Sequence, residues 1–305
     1  MEVGSNVSNE RSTKISNSYI TNDNIASRIC QEKFQSFLKE DHSEEDVTTL
    51  STVPKSVNVK AEIVSEEKCV VAGTSFLRHC FPEDVGLEVK INDGNMANRN
   101  DVLAIGIGPA RVFLSRERVI LNLMQRLCGI ATLTRKYSEI ASKYDCKILD
   151  TRKMTPGLRL FEKYAVAVGG GYNHRLDLKS AVLVKDNHLL ASGGVKAALR
   201  NLENSEPSVP VELEVDALDQ LGEGLMHKVD GFLLDNMNPN QIMEAIDIVR
   251  DKSNGRRVFL EASGGITLEK LKVFASTGIE AISVGALTTG VKNINLKMEF
   301  KTLQD

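Results

Sequence analysis

The chain has 305 residues, of which 42% are hydrophobic and 26% are charged, the balance of a soluble globular protein. A net charge of −3 and a pI of about 6.0 exclude a general attraction to nucleic acid or to an anionic membrane, so any anion site must be built locally. No apolar run approaches the roughly 20 residues that span a bilayer, and the N-terminus lacks a secretory signal pattern, so we expect a cytoplasmic protein.

The N-terminal part predicts a flexible tail followed by a helix. Residues 1–18 are mostly Ser, Asn and charged residues, which bury too little apolar surface to become ordered. From Asn22 to about Lys39 apolar residues recur at helical spacing, and Asn22 is a suitable N-cap. We therefore expect the first helix to begin near residue 22.

A small sheet domain is expected next. Short apolar or alternating runs separated by turn residues predict strands near 57–63, 70–73, 87–91 and 102–106. From Arg116 to about Ser142 the apolar residues lie on one helical stripe, which predicts a helix leading into a second domain. The five cysteines form no C-x-x-C pair or tight cluster, so reduced, buried thiols are expected in place of a zinc site.

From Cys146 onward short apolar strands alternate with helical segments. The predicted strands are 147–151, 164–168, 181–185, 211–215, 231–235, 257–262 and 281–285. This alternation indicates right-handed crossovers and a parallel sheet, either an open sheet or a closed barrel, and seven strands favour the barrel. Nearly every strand ends in polar residues. Since parallel barrels place their sites at the carboxyl ends of the strands, these residues are expected to converge on one rim.

Basic side chains are concentrated at these strand ends. They are Arg152, Lys153, His174, Arg175 and Lys185. Each one alone is equally well explained as a solvated loop residue. Together they predict a mouth that binds a polyanion, because unpaired cations at this density repel one another and destabilise the fold. The glycines at 169–171 allow the backbone to approach a ligand closely.

Two carboxylates, Glu214 and Asp235, each end a predicted strand. Beside an anion-binding mouth they are suited to hold Mg²⁺ against a pyrophosphate, and they would also stabilise a cationic transition state. The alternative is that they pair with Lys153 or Lys185. The metal-related role is favoured.

Glycine-containing loops follow the last two strands. They are Ser263-Gly264-Gly265 and Ser283-Val284-Gly285. Each alone indicates only a tight turn. As a pair after the final strands of a parallel barrel they predict a phosphate site built from backbone N–H groups.

A set of segments in one consistent order connects the chain with a known family. The segments are Thr151–Arg159, Gly169–Arg175, Lys185–His188, Val211–Glu214, Leu234–Asn236 and Glu261–Gly265, with Glu117–Asn122 and Gly129–Thr132 upstream. They resemble the quinolinate phosphoribosyltransferase family, also called nicotinate-nucleotide pyrophosphorylase. The resemblance extends from about residue 20 to the C-terminus.

The resemblance implies a fold and an assembly. After the tail at 1–18, an N-terminal α/β sandwich domain is expected at 19–128 plus about 290–305. An incomplete seven-stranded α/β barrel is expected at 129–289. Dimers are implied, as a homodimer or an assembly of dimers, in which the N-terminal domain of one subunit closes the barrel mouth of the other. Arg118 would cross that interface to the carboxylates of quinolinate.

The resemblance also implies an activity and residue roles. Quinolinate and phosphoribosyl pyrophosphate would give nicotinate mononucleotide, CO₂ and pyrophosphate, a step in NAD biosynthesis. The quinolinate pocket would be lined by Thr151, Arg152, His174, Arg175 and Lys185. Of the catalytic residues, Lys153 would face both substrates, and Glu214 and Asp235 would serve the ribose and the Mg²⁺-pyrophosphate. The 5-phosphate would lie in the loops at Ser263–Gly265 and Ser283–Gly285.

Two departures from the family pattern keep alternatives open. Met154 stands where the family usually has Thr, and Thr289 stands where His is common. A related transferase that acts on another anionic heterocycle is one alternative, with Met154 reshaping the pocket. A non-catalytic homologue that binds phosphorylated ligands or a partner is another, although the opposed cations and carboxylates argue against it.

Overall fold

The computed structural model describes the backbone of residues 27–301 and the side chains of residues 31–301. The tail predicted at 1–18 and the N-cap predicted at Asn22 lie outside the described residues. The described chain forms two compact units. The N-terminal unit comprises residues 27–135, 155–170 and 290–301, and the barrel unit comprises residues 136–154 and 171–289. Compared with the expected boundary at 128, the segments 129–135 and 155–170 group with the N-terminal unit.

The secondary structure alternates between helices and strands in both units. The helices are α1 (Ser27–Glu40), α2 (Val47–Thr52), α3 (Leu77–Cys80), α4 (Ala110–Leu114), α5 (Glu117–Ala141), α6 (Arg159–Val168), α7 (Asp186–Ser192), α8 (Val195–Ser205), α9 (Gln220–Met226), α10 (Pro239–Lys252), α11 (Leu268–Ala275) and α12 (Ala286–Thr289). The strands are β1 (Asn58–Ser65), β2 (Cys69–Val70), β3 (Gly86–Val89), β4 (Met96–Ala97), β5 (Val102–Pro109), β6 (Lys147–Leu149), β7 (Val182–Val184), β8 (Val211–Val215), β9 (Gly231–Asp235), β10 (Phe259–Ser263), β11 (Ala281–Ser283) and β12 (Leu296–Lys301).

The N-terminal unit is built on an antiparallel sheet in the order β12-β1-β5-β3. Alternate residues of β1, such as Ala61 and Ile63, are buried and pack in one core with Leu121 and Met124 of the long helix α5. Phe34 of α1 completes this core. The last strand, β12, returns to pair with β1, which is why the chain after residue 290 belongs to this unit.

The barrel unit contains a parallel sheet in the order β6-β11-β10-β9-β8-β7. From β7 to β11 each strand pairs with the next one in the chain, and β11 then pairs with β6, the first strand of the unit. The sheet therefore curls back to its beginning. On the other side of β6, a single parallel bridge joins Leu149 to Tyr172. The incomplete part of the barrel thus lies between Tyr172 and β7.

The prediction of a strand at 164–168 is wrong. These residues form the last turns of helix α6, and the described part of the unit has six parallel strands where seven were expected. The helix is buried around most of its circumference, at Phe161, Glu162, Lys163, Ala165 and Val166. A short apolar run such as Ala165-Val166-Ala167-Val168 does not distinguish a buried helix from a buried strand by its pattern.

The structure also shows the state of the cysteines and the apolar character of the helices. In the described part of the chain, Cys69, Cys80, Cys128 and Cys146 are buried and form no disulfide. Among the described residues, no helix combines the length and the apolar character that crossing a membrane requires.

Candidate active site

The carboxyl ends of the barrel strands surround a cavity of about 410 Å³. Its lining residues are Thr151, Arg152, Lys153, His174, Arg175, Leu183, Lys185, Glu214, Leu233, Asp235, Glu261, Ser263 and Ser283. Lys185 follows β7, Asp235 ends β9 and Ser263 ends β10. The predicted cations and both predicted carboxylates therefore share one cavity.

A buried aspartate holds the segment that carries His174 and Arg175. Asp150 has no exposed surface and accepts hydrogen bonds from the side-chain amide of Asn173 (2.7 Å) and the backbone N–H of His174 (2.8 Å). The backbone N–H of Asp150 donates to the carbonyl of Tyr172 (3.0 Å). These bonds fix the segment beside β6. The buried guanidinium of Arg175 is fixed in turn by a hydrogen bond to the carbonyl of Ala181 (2.8 Å).

Lys185 and Glu214 form an ion pair at the mouth of the cavity. The Nζ atom of Lys185 donates to Oε2 of Glu214, and the two side chains are 42% and 13% exposed. The alternative pairing of Glu214 considered from the sequence is thus present in the unliganded structure. Arg152 contributes a guanidinium whose buried Nε has no hydrogen-bond partner in the described part of the chain. A buried donor left in this state is costly unless a ligand satisfies it.

Two acidic residues inside the barrel were not among the site residues predicted from the sequence. Glu212 is 3% exposed and Glu261 is fully buried. The Nε2 atom of His174 lies 3.5 Å from Oε2 of Glu212 and 3.3 Å from Oε2 of Glu261. The sequence offered one signal for Glu212: side chains alternate along a strand, so Glu212 lies on the same face of β8 as the predicted site residue Glu214.

The acids control the protonation of His174. Burial by itself lowers the pKa of this imidazole, but the nearby carboxylates of Glu261 and Glu212 outweigh the burial and raise the pKa to about 10. At neutral pH the imidazole is therefore a cation with a proton on both ring nitrogens, and its Nε2 atom faces the two carboxylates.

The same three side chains have the composition of a metal site. Ligand atoms of His174, Glu212 and Glu261 lie within 4.8 Å of one another. The short distances from Nε2 to both carboxylates make this cluster, in the structure, an ion pair of one imidazole with two acids.

The predicted phosphate loops follow β10 and β11. Ser263 and Ser283 line the cavity, whereas Gly264, Gly265, Val284 and Gly285 are not among its lining residues in the described chain. Gly285 lies against Lys153, because an added Cβ would be 3.3 Å from the lysine Cδ. The hydroxyl of Thr288 donates to the carbonyl of Lys153 (2.7 Å), which fixes the backbone of that lysine.

Arg118 lies in the N-terminal unit. Its side chain is 68% exposed, contacts Glu117 (3.2 Å) and borders a second cavity of about 540 Å³ together with Arg126 and Asn122. The cavity of the barrel unit described above does not include it. The prediction that Arg118 reaches a partner subunit stays a prediction.

Comparison with known proteins connects this site to one family. The chain matches the quinolinate phosphoribosyl transferase N-terminal domain over residues 46–128 and the corresponding C-terminal domain over residues 130–299. A probable nicotinate-nucleotide pyrophosphorylase [carboxylating] of Bacillus subtilis is 39% identical over 267 residues, which cover 86% of this chain and 90% of that protein. A quinolinate phosphoribosyltransferase [decarboxylating] of Nicotiana tabacum is 36% identical and covers 84% of this chain and 78% of its own length.

Solved structures agree with the sequence relatives. The nicotinate-nucleotide pyrophosphorylase of Francisella tularensis superposes with a TM-score of 0.83 at 33% identity, covering 92% of this chain and 98% of that one. The protein of the same name from Ehrlichia chaffeensis gives 0.82 at 35% identity, covering 88% and 98%. The matched domains span most of the described sequence. The chain belongs to the quinolinate phosphoribosyltransferase family.

Proposed function

We propose that this protein transfers the ribose 5-phosphate group of phosphoribosyl pyrophosphate to the ring nitrogen of quinolinate. The products are nicotinate mononucleotide, CO₂ and pyrophosphate, and the reaction is a step of NAD biosynthesis. Family membership supports the activity. The observation that carries the proposal is the single cavity in which Arg152, Lys153, Arg175 and Lys185 face Glu214 and Asp235.

The cations of the cavity suit a pyridine dicarboxylate. Arg152 and Arg175 offer planar donor groups that match carboxylates, and Lys185 offers a compact charge. Because Arg175 is held by Ala181, its guanidinium is oriented before the ligand arrives. A ligand that arrives at such preorganised donors loses less affinity to side-chain ordering.

Positive charge develops on the ribose during the transfer step, and the carboxylates of Glu214 and Asp235 stabilise it. The ring nitrogen attacks the anomeric carbon, the bond to the pyrophosphate oxygen breaks, and positive charge develops on the ribose. The carboxylates of Glu214 and Asp235 lie at the same strand ends and stabilise that charge electrostatically. Lys153, on the opposite loop, neutralises the anionic groups of both substrates. Positioning and electrostatics supply most of the catalysis.

The donor set at the mouth also fits Mg²⁺. Two carboxylates from neighbouring strands, with open cavity between them and the phosphate loops, are the oxygen ligands that this ion prefers beside a pyrophosphate. Glu214 and Asp235 would hold the ion, which when bound neutralises charge on the leaving group.

Loss of CO₂ follows from the chemistry of the ring. Ribosylation makes the nitrogen cationic, so the electron pair left at C2 when the adjacent carboxylate departs is stabilised by that charge. A proton then replaces the carboxylate. The protein's contribution is to hold the ring while this occurs.

We further propose that the protein is a homodimer in which Arg118 contacts the quinolinate bound to the partner subunit. The loops at Ser263–Gly265 and Ser283–Gly285 bind the 5-phosphate in this proposal, and the protein is located in the cytoplasm. The 68% exposure of Arg118 supports its availability to a second subunit.

The test is formation of nicotinate mononucleotide from quinolinate and phosphoribosyl pyrophosphate with Mg²⁺. Lys185→Met and Arg175→Ala should lose at least about a hundredfold in kcat/KM, since each removes a charged contact worth ~3 kcal/mol or more when desolvated. Arg250→Ala is the control, because that guanidinium is 68% exposed on helix α10. Full activity in both cavity variants, or turnover of nicotinate in preference to quinolinate, would contradict the proposal.

A further inference from the structure

The residue that follows Asp235 has an unusual backbone. Asn236 is in the left-handed region with φ of 56°, directly after strand β9. Its backbone N–H donates to the carbonyl of Ser263 (2.9 Å), which ties the end of β9 to the end of β10. Its side-chain amide donates from Nδ2 to Oδ2 of Asp235 (2.7 Å). The carboxylate of Asp235 is therefore held by the next residue in the chain.

A glycine on the neighbouring loop packs closely against the backbone of Asn236. Gly264 has φ of 109°, and a Cβ added there would lie 2.7 Å from the backbone nitrogen of Asn236 and 2.8 Å from its Cα. The side-chain oxygen of Asn236 is among the nearest atoms to the same point. The two loops thus pack backbone against backbone. The backbone of Asn236 is thereby fixed, and its exposed side-chain amide starts from a fixed point beside Asp235.

We propose that Asn236 is a positioning residue that orients the Asp235 carboxylate toward the metal-bound pyrophosphate and the ribose. The inference rests on the proposed function, because it assigns Asn236 a role only through Asp235. A carboxylate on a solvent-facing strand end rotates freely. One that accepts a hydrogen bond from an amide on a fixed backbone favours a single orientation, and supporting partners of this kind tune a ligand's affinity for its ion.

The left-handed backbone offers a simpler explanation for the asparagine at position 236, and it predicts a different effect of a substitution by glycine. Asparagine tolerates the left-handed backbone better than other residues that carry a Cβ, so the φ of 56° alone would account for its presence. In that case glycine would serve equally well at this position. If the amide matters, glycine keeps the backbone and loses the function.

The experiment compares Asn236→Gly with a matched control, Asn254→Gly. Asn254 has φ of 53°, lies in the same barrel unit, and follows helix α10 away from the cavity. Binding of Mn²⁺, as a spectroscopic probe for the Mg²⁺ site, is measured by electron paramagnetic resonance in the presence of pyrophosphate. Turnover is measured in parallel as nicotinate mononucleotide formation.

We expect Asn236→Gly to weaken Mn²⁺ binding by about 10-fold or more and to lower kcat by a similar factor, the usual loss for a supporting residue. Asn254→Gly should stay within twofold of the wild type in both measurements. Equal results for the two variants would overturn the inference, whether both retain or both lose binding. The proposed function is judged separately by the wild type: a wild-type protein that forms no product refutes it, whereas an active one with an unaffected Asn236→Gly variant refutes only the role of Asn236.

Discussion

Gly264 provides a stringent test of how the strand-end loops are packed. The substitution Gly264→Ala adds a methyl group that would overlap the backbone of Asn236, with contacts of 2.7 and 2.8 Å. Real Cβ atoms do not approach backbone atoms this closely, so one of the two loops must shift. Overpacking of this kind costs ~1–3 kcal/mol. The positive φ of 109° adds roughly 1–3 kcal/mol, because a residue with a Cβ rarely adopts it.

The expected loss in the free energy of unfolding is therefore about 2–6 kcal/mol for Gly264→Ala. Gly255→Ala is the matched control, since Gly255 also has a positive φ, of 76°, but an added Cβ would meet nothing within 4 Å. That variant should lose only ~1–2 kcal/mol. Both losses are measured by urea unfolding followed by circular dichroism. If the two variants have the same stability, the close packing of Gly264 on Asn236 is wrong.

Two further predictions concern buried charges. The pKa of His174 in the folded protein, about 10, lies above the ordinary value of 6.5, so its contribution to stability is complete below pH 6.5 and is lost as the pH rises through 10. Between these pH values the wild type should lose stability relative to His174→Gln. Parallel curves of unfolding free energy against pH for the two proteins would contradict the ion pair. In the N-terminal unit, fully buried Glu162 accepts hydrogen bonds from Nε of Arg126 (2.6 Å) and the backbone N–H of Thr155 (3.1 Å). Glu162→Gln should cost roughly 3 kcal/mol, whereas a cost below ~1 kcal/mol in chemical denaturation would show that this buried pair is not stabilising.

Much of the barrel could be predicted because its signals are local. Strands β8 and β9 were placed at their observed bounds, 211–215 and 231–235, since β8 alternates apolar and acidic residues and β9 is a short apolar run. The rim of polar residues followed from the rule that parallel strands end on one side. For the same reason Arg152, Arg175 and Lys185 were expected to lie close together, and all three line one cavity.

The missed features depend on tertiary contacts. Helix α6 was read as a strand at 164–168 because the run Ala165-Val166-Ala167-Val168 contains no polar residue that would reveal the helical period. The two-residue strand β4 is too short to carry any period, and it forms only by pairing with β2. Glu212 and Glu261 lie within barrel strands, and no local sequence pattern around them predicts that both face His174.

These buried acids change the expected energetics of the cation cluster. From the sequence alone, the basic side chains were expected to be unpaired and to repel one another. In the structure Lys185 is paired with Glu214, and His174 directs its Nε2 proton at Glu212 and Glu261. Opposite charges within 4 Å offset both the repulsion and part of the desolvation of the cations, although each acid loses its own hydration.

Charge balance also explains how the site is assembled before a ligand binds. If the cations were bare, the segment that carries His174 and Arg175 would be pushed outward, and substrate would have to order it at the expense of affinity. Asp150 instead anchors the backbone of that segment, and the two interior acids anchor the imidazole. The two interior acids therefore stabilise the arrangement of cations that the proposed binding of a dianion requires.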